Sequence, residues 1–155
     1  MPKIAPGAAV PDFSLPATDG GSFRLKNAAG HPLVIYFYPK DMTSGCTRES
    51  QDFRDLHAAF RKAGVEVVGI SRDGVASHEK FRTRERLPFA LLSDADEKVC
   101  KLFDVIREKS LYGRKYLGVE RSTFLLDAKG VLRREWRKVK VPGHAEEVLE
   151  AAKSL

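Results

Sequence analysis

Leu33-Val34-Ile35-Tyr36-Phe37-Tyr38-Pro39-Lys40-Asp41-Met42-Thr43-Ser44-Gly45-Cys46 is the stretch from which the fold is read. Its first part, Leu33 to Tyr38, is β-branched and aromatic with no polar alternation, the pattern of a strand buried on both faces. Pro39 ends it, because proline lacks a backbone donor and fixes φ. A short turn follows. From about Gly45 to Lys62, Phe53, Leu56 and Phe60 recur at helical spacing, and Gly64 stands at the exit.

Working outward, Asp12 to Leu15 and Ser22 to Leu25 flank Asp19-Gly20-Gly21 as an N-terminal β-hairpin. Val65 to Ser71 reads as a second buried strand, Val75 to Arg86 as a helix and Phe89 to Ser93 as a strand. Ala95 to Phe103 reads as a helix opened by Asp94 and Asp96. Ser122 to Asp127 and Val131 to Arg137 are strands joined at Ala128-Lys129-Gly130, and Ala145 to Leu155 is a closing helix. Strands alternating with helices predict an α/β fold, a central mixed β-sheet with helices on both faces. With 155 residues and no repeat or low-complexity linker, residues 1–155 read as one domain.

Composition narrows the function. A hydrophobic share of 43% fits a globular chain and not a disordered one. Leu33 to Tyr38, the longest strongly apolar run, falls far short of the about 20 residues of a membrane span. Met1-Pro2-Lys3-Ile4-Ala5-Pro6 lacks the apolar core of a secretory signal, so a cytoplasmic location and no membrane partner are expected. Lys plus Arg number 27 against 21 Asp plus Glu, a net charge of +6. The densest basic cluster is Arg133, Arg134, Arg137, Lys138 and Lys140. It is interrupted by Glu135 and reads as a solvated face, so no nucleic-acid partner is expected.

The two cysteines, Cys46 and Cys100, are too few for a disulfide scaffold or a four-thiolate zinc site. No histidine has metal-ligand spacing to them, so no metal is expected, and where sulfur itself does the redox work no cofactor is needed. A Cys-x-x-Cys pair is absent, since Glu49 stands at that interval. Cys46 falls in the first turn of a helix, where unpaired N–H groups and the macrodipole favour a thiolate over a thiol. A thiolate is the nucleophilic form. Position alone leaves a packing cysteine equally open. His57 is roughly 16 Å further along that helix, and His31, His78 and His144 lack a recognisable motif and read as surface or cap residues.

The surroundings of Cys46 decide between these readings. Pro39 to Cys46 has the pattern Pro-x-x-x-Thr-x-x-Cys, which resembles the active-site motif of the peroxiredoxins. Phe37 to Thr43 with Gly45-Cys46-Thr47 is similar to their bacterioferritin comigratory protein (peroxiredoxin Q) branch. Pro11-Asp12-Phe13-Ser14-Leu15, Gly69-Ile70-Ser71, Leu91-Leu92-Ser93-Asp94, Glu108-Lys109-Ser110 and Arg121-Ser122-Thr123-Phe124-Leu125-Leu126-Asp127 resemble that branch in the same order. The resemblance implies a thioredoxin-like fold and a thiol-dependent peroxidase. Cys46 would be the peroxidatic nucleophile and pass through a sulfenic acid. Thr43 would orient thiolate and peroxide, Pro39 shield the sulfur, and the N–H groups of Gly45 and Cys46 contact the bound peroxide. Arg121 would hold the thiolate and polarise the O–O bond. Glu49 would either position that arginine or remain an exposed first-turn carboxylate.

The sequence departs from the branch in one respect. Many members carry a resolving cysteine five residues after the peroxidatic one, where this chain has Gln51, and others carry it in the helix after the second buried strand, where Val75 to Arg86 has none. Cys100 lies on a helix whose Val99, Leu102 and Phe103 form an apolar face, and reads as a packing residue. The expectation is a one-cysteine peroxidase of hydrogen peroxide and organic hydroperoxides, reduced by thioredoxin, glutaredoxin or a small thiol, and monomeric as the branch often is. The alternatives are a two-cysteine peroxidase resolving through Cys100, or a peroxide-sensing or partner-binding thioredoxin-fold protein.

Overall fold

In the computed structural model, which describes residues 4–155, β3 (Leu33–Phe37) is buried along its whole length and lies at the centre of a five-stranded sheet. β4 (Glu66–Ser71) pairs with it in parallel, and β5 (Leu91–Ser93) pairs in parallel with β4. On the other side β8 (Ser122–Leu126) runs antiparallel to β3, and β9 (Leu132–Trp136) antiparallel to β8. The order β5-β4-β3-β8-β9 is the mixed sheet that the sequence predicts. Met1 to Lys3, the start of the segment read as lacking a signal core, lie outside the described residues.

Alternation along the strands divides the core into two layers. Val34, Tyr36 and Tyr38 face one side with Phe53 of α1 (Ser44–Asp55), Phe60 of α2 (His57–Lys62), Phe81 of α3 (Val75–Glu85) and Val148 of α5 (His144–Lys153). Leu33, Ile35 and Phe37 face the other, with Val99 and Cys100 of α4 (Lys98–Leu102), Leu25 of a 3-10 turn (Leu25–Ala28) and Leu15 of β1 (Ser14–Pro16). β1 pairs with β2 (Ser22–Arg24) in the expected N-terminal hairpin. Burying one such aliphatic or aromatic side chain is worth about 1.5–3 kcal/mol, so helices that cover both faces remain docked.

The position of α1 is set by Tyr36. Its ring stacks on Phe53 with centroids 4.8 Å apart, and its hydroxyl bonds the Ser50 hydroxyl at 2.9 Å. That ring lies over Gly69 of β4, where a Cβ would come within 2.7 Å of the Tyr36 Cζ. A side chain at position 69 would push Tyr36 into α1.

Three elements differ from the sequence reading. The helix expected from Gly45 to Lys62 is two helices, because Leu56 takes a non-helical ψ of 1°. The bend still lets Phe53 and Phe60 enter the same layer. The helix expected from Ala95 is confined to Lys98–Leu102, since Glu97 adopts a left-handed φ of 65°. Asp94 and Asp96 nonetheless cap it, accepting the backbone N–H groups of Val99, Cys100 and Lys98. Finally, β6 (Ile106–Leu111) and β7 (Arg114–Val119) form an antiparallel hairpin for which the sequence gives no strand signal. Its residues are mostly exposed or half-buried, so neither face carries an apolar alternation.

Candidate active site

Register brings distant residues to one end of the sheet. Phe37, the last residue of β3, is paired with Ile70 of β4 and with Ser122, the first residue of β8. The loop leaving β3 therefore emerges beside the residue that precedes β8, which is Arg121. This is the strand C-terminal end of the parallel pair, where α/β sheets gather their reactive groups.

Cys46 is the third residue of α1 and is 1% exposed. Arg121, 75 positions away, donates from Nη2 to the Cys46 Sγ at 3.3 Å. Its Nη1 donates to Glu49 Oε1 at 2.6 Å. One guanidinium thus bridges the sulfur and a carboxylate one helical turn further on, with its backbone carbonyl held by the Val139 N–H. Gly45 makes room for it: a Cβ there would lie 3.2 Å from Nη2. A Cβ there would move the guanidinium by a few tenths of an ångström, and the Gly45 φ is ordinary.

Glu49 is fully buried, whereas a first-turn carboxylate on an exposed face was one of the two sequence readings. Burial pushes its pKa up to about 7, and the Arg121 charge opposes that rise only in part. Its Oε2 is buried without a hydrogen-bond partner among the described residues. Lys109, on β6, adds a second cation near the site. Its Nζ donates to the Val119 carbonyl at 2.6 Å, and burial lowers its pKa, helped by Arg121 and opposed by Cys46. The hairpin that carries Lys109 has no readable period, and the sequence marks this residue only within Glu108-Lys109-Ser110, one of the stretches of resemblance.

Thr43 is the N-cap of α1, yet its side chain caps nothing. The hydroxyl donates instead to the Lys40 carbonyl at 2.9 Å. Its proton is thereby committed and its lone pairs are left to accept. The first intrahelical bond runs from Thr47 N to Thr43 O, so the Ser44, Gly45 and Cys46 N–H groups point out of the first turn. Pro39 is half-buried at the head of the loop. The arrangement offers a buried sulfur, a cation on it, and a row of N–H donors facing the same end of the helix.

Cys100 is on the other side of the sheet. Its layer is the one below Ile35 and Phe37, while Cys46 belongs to the layer above Val34 and Tyr36. Burial pushes the Cys100 thiol far up, reinforced by hydrogen bonding to Asp94. A disulfide needs Cβ atoms about 3.8 Å apart, and the sheet stands between the two residues.

Two histidines read as surface or cap residues are buried. His144 bonds the Thr123 hydroxyl at 2.8 Å, and burial lowers its pKa to about 4. His78 is 0% exposed and contacts Asp41. Asp41, Asp73 and His78 present ligand-type atoms within 4.8 Å of one another, but the facing carboxylate oxygens already accept protein hydrogen bonds. In the basic cluster, Arg133 and Arg134 pair with Asp127 and Glu147, and Arg137 donates to the Phe103 and Asp104 carbonyls at the end of α4. No helix among the described residues is long and apolar enough to cross a membrane.

With this geometry in view, the resemblances are informative. The sequence profile of the AhpC/TSA family matches residues 6–135. Peroxiredoxin Bcp of Xanthomonas campestris pv. campestris is 52% identical over 147 residues, covering 95% of this chain and 92% of its own. A structure bearing on the alkyl peroxide reduction activity of the Xanthomonas campestris bacterioferritin comigratory protein superposes with a TM-score of 0.88 at 51% identity, covering 92% of this chain and 90% of that one. A variant of Xylella fastidiosa PrxQ superposes with a TM-score of 0.93 at 39% identity over 99% of this chain and 98% of its own. The thioredoxin-like fold expected from the motif is the fold of these neighbours. The chain belongs to the AhpC/TSA family, in the branch of the Bcp (peroxiredoxin Q) proteins.

Proposed function

We propose that this chain is a thiol-dependent peroxidase that reduces hydrogen peroxide and organic hydroperoxides at Cys46, by a one-cysteine mechanism with an external thiol as reductant. Its peroxiredoxin relatives and the alkyl peroxide reduction of the Xanthomonas protein support the reaction class. The observation that carries the assignment to Cys46 is the 3.3 Å contact from Arg121 to a sulfur at an uncapped helix N-terminus.

In the first step the Cys46 thiolate attacks one peroxide oxygen. An S–O bond forms, the O–O bond breaks, and the departing oxygen takes a proton supplied by solvent and leaves as water or alcohol. The sulfur is oxidised to a sulfenic acid. Arg121 opposes the negative charge moving from sulfur to the leaving oxygen, and in a site closed to water such a cation acts with little screening. The Gly45 and Cys46 N–H groups contact the peroxide, and Thr43, its own O–H donated to the Lys40 carbonyl, accepts a hydrogen bond from the peroxide O–H. Pro39 shields the sulfur from water. A reductant thiol then attacks the sulfenic sulfur, forming a mixed disulfide and releasing water, and a second thiol restores Cys46. The reductant is thioredoxin, glutaredoxin or a small thiol.

The placement of Cys100 in the opposite core layer favours the one-cysteine reading over resolution through Cys100. The test is to treat the reduced protein with one equivalent of hydrogen peroxide and read intact mass with and without a sulfenic-acid trap. A trappable gain of one oxygen on Cys46 is expected. A quantitative Cys46–Cys100 disulfide overturns the one-cysteine mechanism, and full peroxide turnover by Cys46→Ser overturns the peroxidase site.

A further inference from the structure

The loop that carries Thr43 to the sulfur contains a residue in a costly conformation. Met42 has a φ of 64°, left-handed for a side chain that gains nothing there. Such a residue costs about 1–2 kcal/mol and persists only where its surroundings hold it. The neighbour that could hold it is Asp41, which is 4% exposed in a loop otherwise open to solvent.

Asp41 is the centre of a buried polar network. Its Oδ1 accepts the Tyr38 hydroxyl at 2.6 Å. Its Oδ2 accepts the Ser77 hydroxyl at 2.8 Å and lies 2.7 Å from His78 Nδ1. Its own N–H donates to Asp73 Oδ2 at 2.9 Å, and that oxygen also accepts the Ser71 hydroxyl at 2.6 Å. His78 Nε2 lies 2.9 Å from the Leu92 carbonyl and must carry a hydrogen, since a carbonyl can only accept. The 2.7 Å contact between His78 Nδ1 and Asp41 Oδ2 is the shortest link between the loop and α3. The loop after β3 is thereby tied to the first turn of α3, to the segment after β4 and to β5. None of these groups has a part in the peroxide chemistry described above.

We propose that Asp41 and His78 are positioning residues for the peroxidase reaction: their 2.7 Å contact fixes the Pro39–Thr43 loop, and so the Thr43 hydroxyl and the first-turn N–H groups, at the geometry a bound peroxide requires. The inference rests on the peroxidase reading. Misplacing a reacting group by about 1 Å can cost on the order of 100-fold without touching the nucleophile. Alkylation of the sulfur by iodoacetamide needs access and a thiolate, but it does not need Thr43 or the N–H groups to hold and orient a peroxide.

The experiment compares two second-order rates for Cys46, with hydrogen peroxide and with iodoacetamide, in the parent, Asp41→Asn and His78→Gln. Both variants should react with peroxide about 10- to 100-fold more slowly, while alkylation is unchanged or faster. Peroxide rates near the parental value would reduce the network to fold stabilisation and overturn the proposal. So would a parallel fall in both rates, which would mean that the sulfur itself was affected. Should either variant fail to fold, Ser77→Ala removes a single donor from Asp41 and should slow the peroxide reaction alone, by roughly threefold. Parental protein inert to peroxide would instead sink the peroxidase reading, so the two failures are distinguishable.

Discussion

Cys46 and Cys100 are equally buried, at 1% and 0% exposure, and yet the two regions are built for opposite ends. Cys46 occupies the first turn of α1 with a guanidinium 3.3 Å from its sulfur. Cys100 occupies α4 on the far side of the sheet, with the Asp94 carboxylate as its neighbour and its pKa pushed far up by burial. A cation at a helix N-terminus opposes the cost of a buried negative sulfur, and an acidic neighbour adds to it. On the proposed reading, burial by itself does not decide a cysteine's reactivity, and the sign of the nearest charge has to be counted with it.

That contrast can be broken most severely at Arg121. Arg121→Ala should slow the reaction of Cys46 with hydrogen peroxide by about 100- to 1,000-fold, since charge stabilisation of this kind is worth about 3–4 kcal/mol. Stopped-flow rates within a few-fold of the parent would remove Arg121 from the chemistry. Arg121→Lys should recover only part of the loss, because a single ammonium cannot bond Sγ and Glu49 as the planar fork does.

Glu49 sharpens the comparison through pH. Its pKa is raised from 4.5 to about 7 in the fold, so between those values the folded state binds more protons than the unfolded chain. Stability must then fall as pH rises through that window, and Glu49→Gln should flatten the fall by on the order of 1–2 kcal/mol. Urea unfolding of both proteins at pH 5 and pH 7.5 measures the difference. A parental protein that gains stability over this range relative to Glu49→Gln would reverse the sign and refute the buried-carboxylate account.

On the opposite face the expected effects are structural only. Cys100→Ala should cost on the order of 1 kcal/mol in chemical denaturation by leaving a small void, with the peroxide rate unchanged. A large loss of turnover in that variant would give Cys100 a part in the cycle. The smallest effect is expected at Gly45→Ala, where the new methyl displaces Arg121 by a few tenths of an ångström. The peroxide rate should drop by roughly a few-fold, while alanine's better helix propensity leaves stability level or slightly higher. Equal losses of rate and stability would contradict the close approach.

Much of this was legible in the chain itself. Leu33 to Tyr38 and Val65 to Ser71 announce buried strands because their side chains repeat a local rule, and β3 and β4 lie where the pattern puts them. β6 and β7 are not legible because a ribbon exposed on most of its surface leaves no apolar period. The helix-start position of Cys46 is legible because strand, turn and helix are contiguous, whereas the role of Thr43 comes only from the motif resemblance. Arg121 is legible only through the motif resemblance, and the burial of His78 and His144 is not legible locally because their partners, Asp41 and Thr123, are 37 and 21 positions away.

The sequence by itself determined the alternating α/β plan, the placement of one cysteine at a helix start and the absence of a second thiol where the branch keeps its resolving residue. The tertiary structure decided which groups surround each sulfur. Pairing of Phe37 with Ser122 sets Arg121 beside the loop after β3, and pairing of Phe37 with Ile70 sets the Asp73 segment against Asp41. Local patterns report only on neighbours a few residues apart. The field at a buried atom is summed over whatever the sheet register brings within a few ångströms, and register is a property of the assembled strands.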